Sequence, residues 1–120
     1  MIPVTKVENF SAQIYVGLQV RDTSELFSVS AIEQICQEYC DKDGFCVTVT
    51  PTKYIYKDGW EQGAIVGVIN YPRFPSTQEE LKGHCFELAT ELMLRLKQYR
   101  VTIDFKDETV MISNPELTNI

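Results

Sequence analysis

The side chains able to do chemistry in this chain are few, and their spacing matches no common catalytic pattern. Cys36 and Cys40 stand one helical turn apart, and the pair His84-Cys85 adds two more groups of the kind that bind zinc. A C-x3-C spacing without a second close pair carries little weight, and thiols buried as small hydrophobes explain it as well. No metal and no cofactor is expected. His84 is the only histidine. No sequence neighbour marks it as a general base, so it reads as solvated or structural. The G-x-S-x-G, P-loop, G-x-G-x-x-G and H-E-x-x-H signatures are absent. What remains is a set of phenols and cations, above all Tyr15, Tyr54 and Arg21, with Lys53 and Arg73 nearby. An arginine beside tyrosines can hold a carboxylate or phosphate and stack an aromatic ring, though the same charges also serve solubility alone. Trp60, the sole tryptophan, falls at a turn. There it is either an interface anchor or a ring folded back on Tyr54 or Tyr56.

Composition bounds what those groups could act on. A chain of 120 residues reads as one domain with a core of its own. The net charge of −6 provides no basic stripe to release counterions from a phosphate backbone, so no nucleic-acid partner is expected. Nor does it attract anionic lipid, and no apolar run approaches the roughly 18 residues of a membrane span. The opening MIPVTKVENF lacks the apolar core of a secretory signal. Four cysteines in apparent helices and strands point to reduced thiols in the cytoplasm.

The elements that must position these groups centre on Gly44 to Pro75, which reads as two long strands folded back at Lys57-Asp58-Gly59-Trp60. Asp-Gly between β-rich runs is a strong hairpin signal, because glycine takes positive φ without a steric cost. In the first arm Pro51 cannot donate to a ladder, which suits an edge strand. In the second, Ala64, Val66 and Val68 alternate with Ile65, Gly67, Ile69 and Tyr71, so both faces are apolar or small. Such a strand is central, with cover on each side. Ala12 to Arg21 is a first strand, its apolar face formed by Ile14, Val16, Leu18 and Val20. A helix is expected near Ser30 to Lys42, with Ser30 and Glu33 as a capping box and Gly44 as its stop. A second helix is expected from a Ser76–Glu79 box to about Tyr99. Gly83 inside it suggests close approach by another backbone. Strands follow at Val101 to Phe105 and Thr109 to Ser113. The lead-in 1–10 and the tail 114–120 are expected to be loosely held.

The order β-α-β-β-α-β with a short C-terminal strand gives an α+β fold of the ferredoxin-like arrangement. It is an antiparallel sheet with both helices on one face and strands one and three in the middle. Gly17 and Gly67 then share the face that the helices leave open, ringed by Tyr15, Gln19, Arg21, Thr48, Tyr54, Ile65, Ile69 and Tyr71. Two glycines make a floor without side chains, fit for a flat ligand or a second sheet, or they merely relieve crowding in a twisted sheet. Bare Ile65 and Ile69 would form an exposed apolar patch, which marks an interaction surface. The expected function is therefore a non-catalytic, self-associating module. It forms a homo-oligomer, most simply a dimer, and binds a partner protein or a small anionic or aromatic ligand through the open face. The alternative is a small cofactor-independent enzyme with its site on that same face, using Tyr15, Tyr54, Arg21 or His84 as acid, base or anion clamp.

Overall fold

A computed structural model gives the fold and describes residues 1–117. Expectations for 118–120 lie outside the described residues. Five strands, β1 (Ser11–Gly17), β2 (Thr48–Tyr56), β3 (Gly59–Ile69), β4 (Arg100–Phe105) and β5 (Thr109–Ser113), form one sheet in the order β2-β3-β1-β4-β5. Every neighbouring pair is antiparallel. Two helices, α1 (Val29–Asp43) and α2 (Gln78–Arg95), complete the ferredoxin-like α+β arrangement, with β5 added outside β4. Alternation in the strands decides the faces. Ile14, Val16, Ala64, Val66, Val68, Val101 and Ile103 are buried. They meet Ile32, Ile35, Leu88 and Leu92 of the helices in one core. Tyr15, Gly17, Ile65 and Gly67 point to the other face. Among the described residues no helix is long and apolar enough to cross a membrane.

Several element ends differ from expectation, each for a local reason. The strand expected to reach Arg21 leaves the sheet after Gly17. Leu18 and Val20 remain buried; Leu18 N still donates to Gln62 O of β3 at 3.2 Å, and the other bonds go to residues 25–27, with Phe27 N donating to Leu18 O at 2.9 Å and Val20 N to Glu25 O at 3.0 Å. Asp22, at φ 63°, makes the turn between them. The first helix starts early, at an N-cap Ser28 whose hydroxyl makes no capping bond. Ser30 is thus already inside the first turn, and the expected Ser30–Glu33 box does not form. The second box exists one residue on: Thr77 Oγ1 accepts from Glu80 N at 3.1 Å, and Glu80 Oε1 accepts from Thr77 N at 3.0 Å. That helix stops at Arg95 rather than near Tyr99, because Lys97 takes φ 54° and Gln98 N turns back to Met93 O. A methyl at Gly83 would meet nothing within 4 Å, so no backbone approaches there.

In the hairpin, Tyr56 and Gly59 pair across a two-residue turn, Lys57-Asp58. The positive φ falls on Asp58, at 62°, not on glycine. Gly59 is needed for space instead: a Cβ there would stand 2.5 Å from Cε1 of the Tyr56 ring. The hairpin also outreaches its neighbour. β1 pairs with β3 only from Gly63 to Ile69, so residues 53–62 project as a two-stranded arm.

Candidate functional site

The open face is built from the alternate residues of four strands. Gln13 and Tyr15 of β1 stand opposite Gly67 and Ile65 of β3, and opposite Asp104 and Thr102 of β4. Thr48 of β2 stands opposite Gly67. Because Gly67 has no side chain, the face sinks there into a cavity of about 450 Å³. Its walls include Gln13, Thr48, Ile69, Tyr71, Asp104 and Lys106. A Cβ at Gly67 would meet Thr48 Oγ1 at 2.5 Å, the end of a side chain that can turn away. Tyr71 packs against Phe74 with the rings tilted and their centres 5.4 Å apart, and its hydrogen bond with the Cys46 thiol raises its phenol pKa above the ordinary value. Hydroxyl and amide groups, a carboxylate and a phenol ring around a small floor suit a flat heterocycle carrying a polyhydroxylated ring.

Gly17 and Gly67 do share this face, but not one spot. Gly17 pairs with Gly63, four residues along β3 from Gly67, roughly 13 Å at about 3.3 Å per residue. Tyr15 and Ile65, themselves a pair, lie between the two ends. Tyr15 leans toward the cavity, its hydroxyl donating to Gln13 Oε1 at 2.8 Å. At the Gly17 end the ring of Tyr54 lies across Gly63, where a Cβ would strike both that ring and Val16 O. The Tyr54 hydroxyl reaches two backbone carbonyls, Val16 O at 3.0 Å and Ala64 O at 3.1 Å. Burial holds this phenol pKa well above its usual value. Tyr54 is therefore a wall rather than a free acid or base.

Gln19 sits at the margin, its amide donating to Thr23 O and Glu25 O, both at 3.1 Å. Arg21 falls outside the face, in the turn after β1, with its guanidinium 5.6 Å from the Tyr99 ring centre. Trp60 lies on the projecting arm, opposite Ile55, with Lys53 Nζ 4.4 Å above its ring. It does not fold back on Tyr54 or Tyr56. The face thus gathers Tyr15, Gly17, Tyr54, Ile65, Gly67, Ile69 and Tyr71, and leaves Arg21 and Trp60 apart. Reading the residues missed Gln13, Glu61, Gly63, Asp104 and Gln98. Register alone brings the first four in. Gln98 was hidden because the helix was carried past it.

The other chemical groups lie elsewhere. The Tyr39 hydroxyl stands 2.7 Å from His84 Nδ1 and donates to Glu87 Oε2 at 3.0 Å, and Phe45 stacks on the imidazole at 4.4 Å. This cluster ties the α1–β2 turn to α2. Beside it a larger groove, about 590 Å³, runs between the outer sides of the helices. Its arginine is taken, Arg95 Nη1 donating to Glu38 Oε1 at 2.9 Å. The four cysteines are free, with burial pushing Cys36 and Cys85 up to about 12. Among the described residues, no group of three His, Cys, Asp or Glu could hold a metal ion.

No family model and no curated protein matches the chain. Two solved structures resemble its fold. A phage SAM lyase in complex with S-methyl-5'-thioadenosine superposes with a TM-score of 0.82 at 17% identity, covering 99% of both chains. A phage SAM lyase in the apo state gives 0.72 at 19% identity, covering 88% of this chain and 90% of that one. These neighbours overturn the expectation of a non-catalytic module, and the enzyme alternative accords with them better. That expectation rested on the lack of a nucleophile–base pair, a metal set or a phosphate loop, and such a lack does not by itself exclude an enzyme.

Proposed function

We propose that this chain is a lyase that takes S-adenosylmethionine, or a closely similar sulfonium nucleoside, on its open sheet face and releases S-methyl-5'-thioadenosine. The observation that carries the reading is the cavity at Gly67, shaped for a nucleoside, in a chain whose fold follows that of a SAM lyase from end to end. The ring and sugar lie at Gly67, between Tyr71, Thr48 and Asp104. The sulfonium lies toward Tyr15, whose ring face attracts a cation. Releasing the thioether breaks the bond from sulfur to the amino-acid arm. The electron pair stays on sulfur, which departs neutral, while the arm's own carboxylate closes on the carbon that sulfur leaves, so that neither an external base nor water is consumed. A sulfonium is thus its own activated leaving group, and the protein's task reduces to orienting the arm and excluding water. The net charge of −6 favours approach of a cationic substrate.

The proposal includes a homo-oligomer, most simply a dimer, assembled through part of the open face or through the hairpin edge. A second copy on the open face would cover Ile69, and one at the hairpin edge would cover the exposed Ile55 and Trp60 instead. It also includes a cytoplasmic setting, in which the four thiols stay reduced.

The test is incubation of the purified protein with S-adenosylmethionine and chromatographic assay for S-methyl-5'-thioadenosine. Product accumulating well above the spontaneous rate is expected. S-methyl-5'-thioadenosine at 100 times its dissociation constant should stabilise the fold by about 2.7 kcal/mol. Absence of both turnover and a shift in melting temperature would end the reading.

A further inference from the structure

At the Gly17 end of the open face, two oxygen acceptors converge on the space where a side chain is missing. A Cβ at Gly17 would stand 2.8 Å from Gln98 Oε1 and 3.0 Å from Glu61 Oε1. Gln98 is only 8% exposed and firmly held. Its Nε2 donates to Gln19 O at 3.0 Å and to Leu96 O at 3.1 Å. Its backbone N donates to Met93 O, and its backbone carbonyl accepts from Asn114 Nδ2. The two carbonyls on Nε2 fix which way the amide points, because a flipped Gln98 would set its oxygen against both of them. Oε1 is therefore turned into the cradle. Among the described residues no donor reaches it, and Glu61 beside it has neither an ion pair nor a hydrogen bond. Oε1 is not sealed from solvent, so a donor can reach it from outside. An amide oxygen fixed in this way without a protein donor is a ready acceptor for such a partner.

We propose that this cradle binds the primary ammonium group of a ligand. Glu61 supplies the counter-charge and Gln98 Oε1 a second acceptor, over a floor that Gly17 and Gly63 keep clear. An ammonium offers three donors and no acceptor, which complements two acceptors, one of them charged. A hydroxyl or an amide would leave the carboxylate without a counter-ion. Resting on the lyase reading, the group is the α-ammonium of the amino-acid arm. The separation of the two glycines lets one extended ligand reach both ends, with its nucleoside at Gly67 and its amine at Gly17. Gln98 is then a specificity-determining residue, which admits sulfonium nucleosides that carry an amine.

Calorimetric titration of the full chain with four ligands tests this. S-adenosylmethionine and its decarboxylated form both keep the ammonium. Adenosyl dimethylsulfonium keeps the charged sulfur and loses the amine, and S-methyl-5'-thioadenosine loses both. The two amine-bearing ligands should bind at least about tenfold tighter than the dimethylsulfonium, as expected for a charge-assisted hydrogen bond. Gly17→Ala puts a methyl in the cradle, 2.8 Å from the held Gln98 Oε1 and 3.0 Å from Glu61 Oε1, in the space an ammonium would take. It should abolish that preference and leave affinity for S-methyl-5'-thioadenosine unchanged. Glu61→Gln should reduce the preference. Equal affinity of the wild type for ligands with and without the amine would overturn the cradle while leaving the lyase reading intact. A preference that survives Gly17→Ala would overturn it equally. Failure of all four ligands to bind would remove both readings together.

Discussion

At the scale of single residues, the open face is governed by side chains that are absent and by those that fill the gap. Tyr54 shows this best. Its ring lies where a Cβ at Gly63 would be, and its hydroxyl serves Val16 O and Ala64 O, on two different strands. The sequence offered Tyr54 as a candidate acid, base or ligand contact, since tyrosine does all three and nothing local separates them. Register decides the matter, and register depends on pairing with residues far along the chain. Tyr54→Phe keeps the ring and removes the hydroxyl, whose one proton is shared between the two carbonyls. It should cost about 1–3 kcal/mol of stability. The expected result is a lower urea midpoint with an unchanged slope. A midpoint equal to that of the wild type would show that the hydroxyl contributes nothing.

At the scale of elements, the two helix starts make a natural contrast. Thr77 caps α2 with a reciprocal pair of bonds to Glu80, whereas Ser28 starts α1 with no side-chain bond at all. Thr77→Ala should therefore cost about 1 kcal/mol, and Ser28→Ala markedly less. Chemical denaturation of both variants checks the order, and a larger loss from Ser28→Ala would refute it. The element types and the strand order were legible because their causes are periodic: alternation in β1 and β3, and helical spacing through Leu81, Cys85, Leu88 and Leu92. The helix starts were off by one or two residues because serine and threonine cluster at both, and an S-x-x-E spacing alone does not say which one caps. The end of α2 was illegible, since a lysine at positive φ carries no signal. That error hid Gln98 and with it one wall of the Gly17 cradle. The open face itself was readable from Ile65, Gly67 and Ile69. Its division into two ends was not.

At the scale of the whole molecule, the longest dimension is 57 Å against 29 and 28 Å across. The arm at residues 53–62 carries Ile55 at 78% exposure and Trp60 at 56%. A two-stranded ribbon has little stability of its own in water, so such an arm gains from a neighbouring surface. Light scattering should show an oligomer, and Gly67→Arg should split it or block nucleoside binding while leaving the helical circular dichroism intact. A wild type that stays monomeric at high micromolar concentration would remove self-association and leave the open face as a ligand site alone.

The Tyr54 tie also has a consequence in time. The turn of the hairpin joins neighbours in sequence, whereas Tyr54 and Val16 are separated by 38 residues. Closing the long loop costs more chain entropy than closing the short one, so the hairpin zips before β1 docks beside it. The phenol can grip Val16 O only after docking, on the native side of the folding barrier. Loss of the hydroxyl in Tyr54→Phe should then appear mainly as faster unfolding, with a smaller fall in the refolding rate for the bond to Ala64 O within the hairpin. A refolding rate that falls in step with stability would place the docking of β1 before the barrier instead.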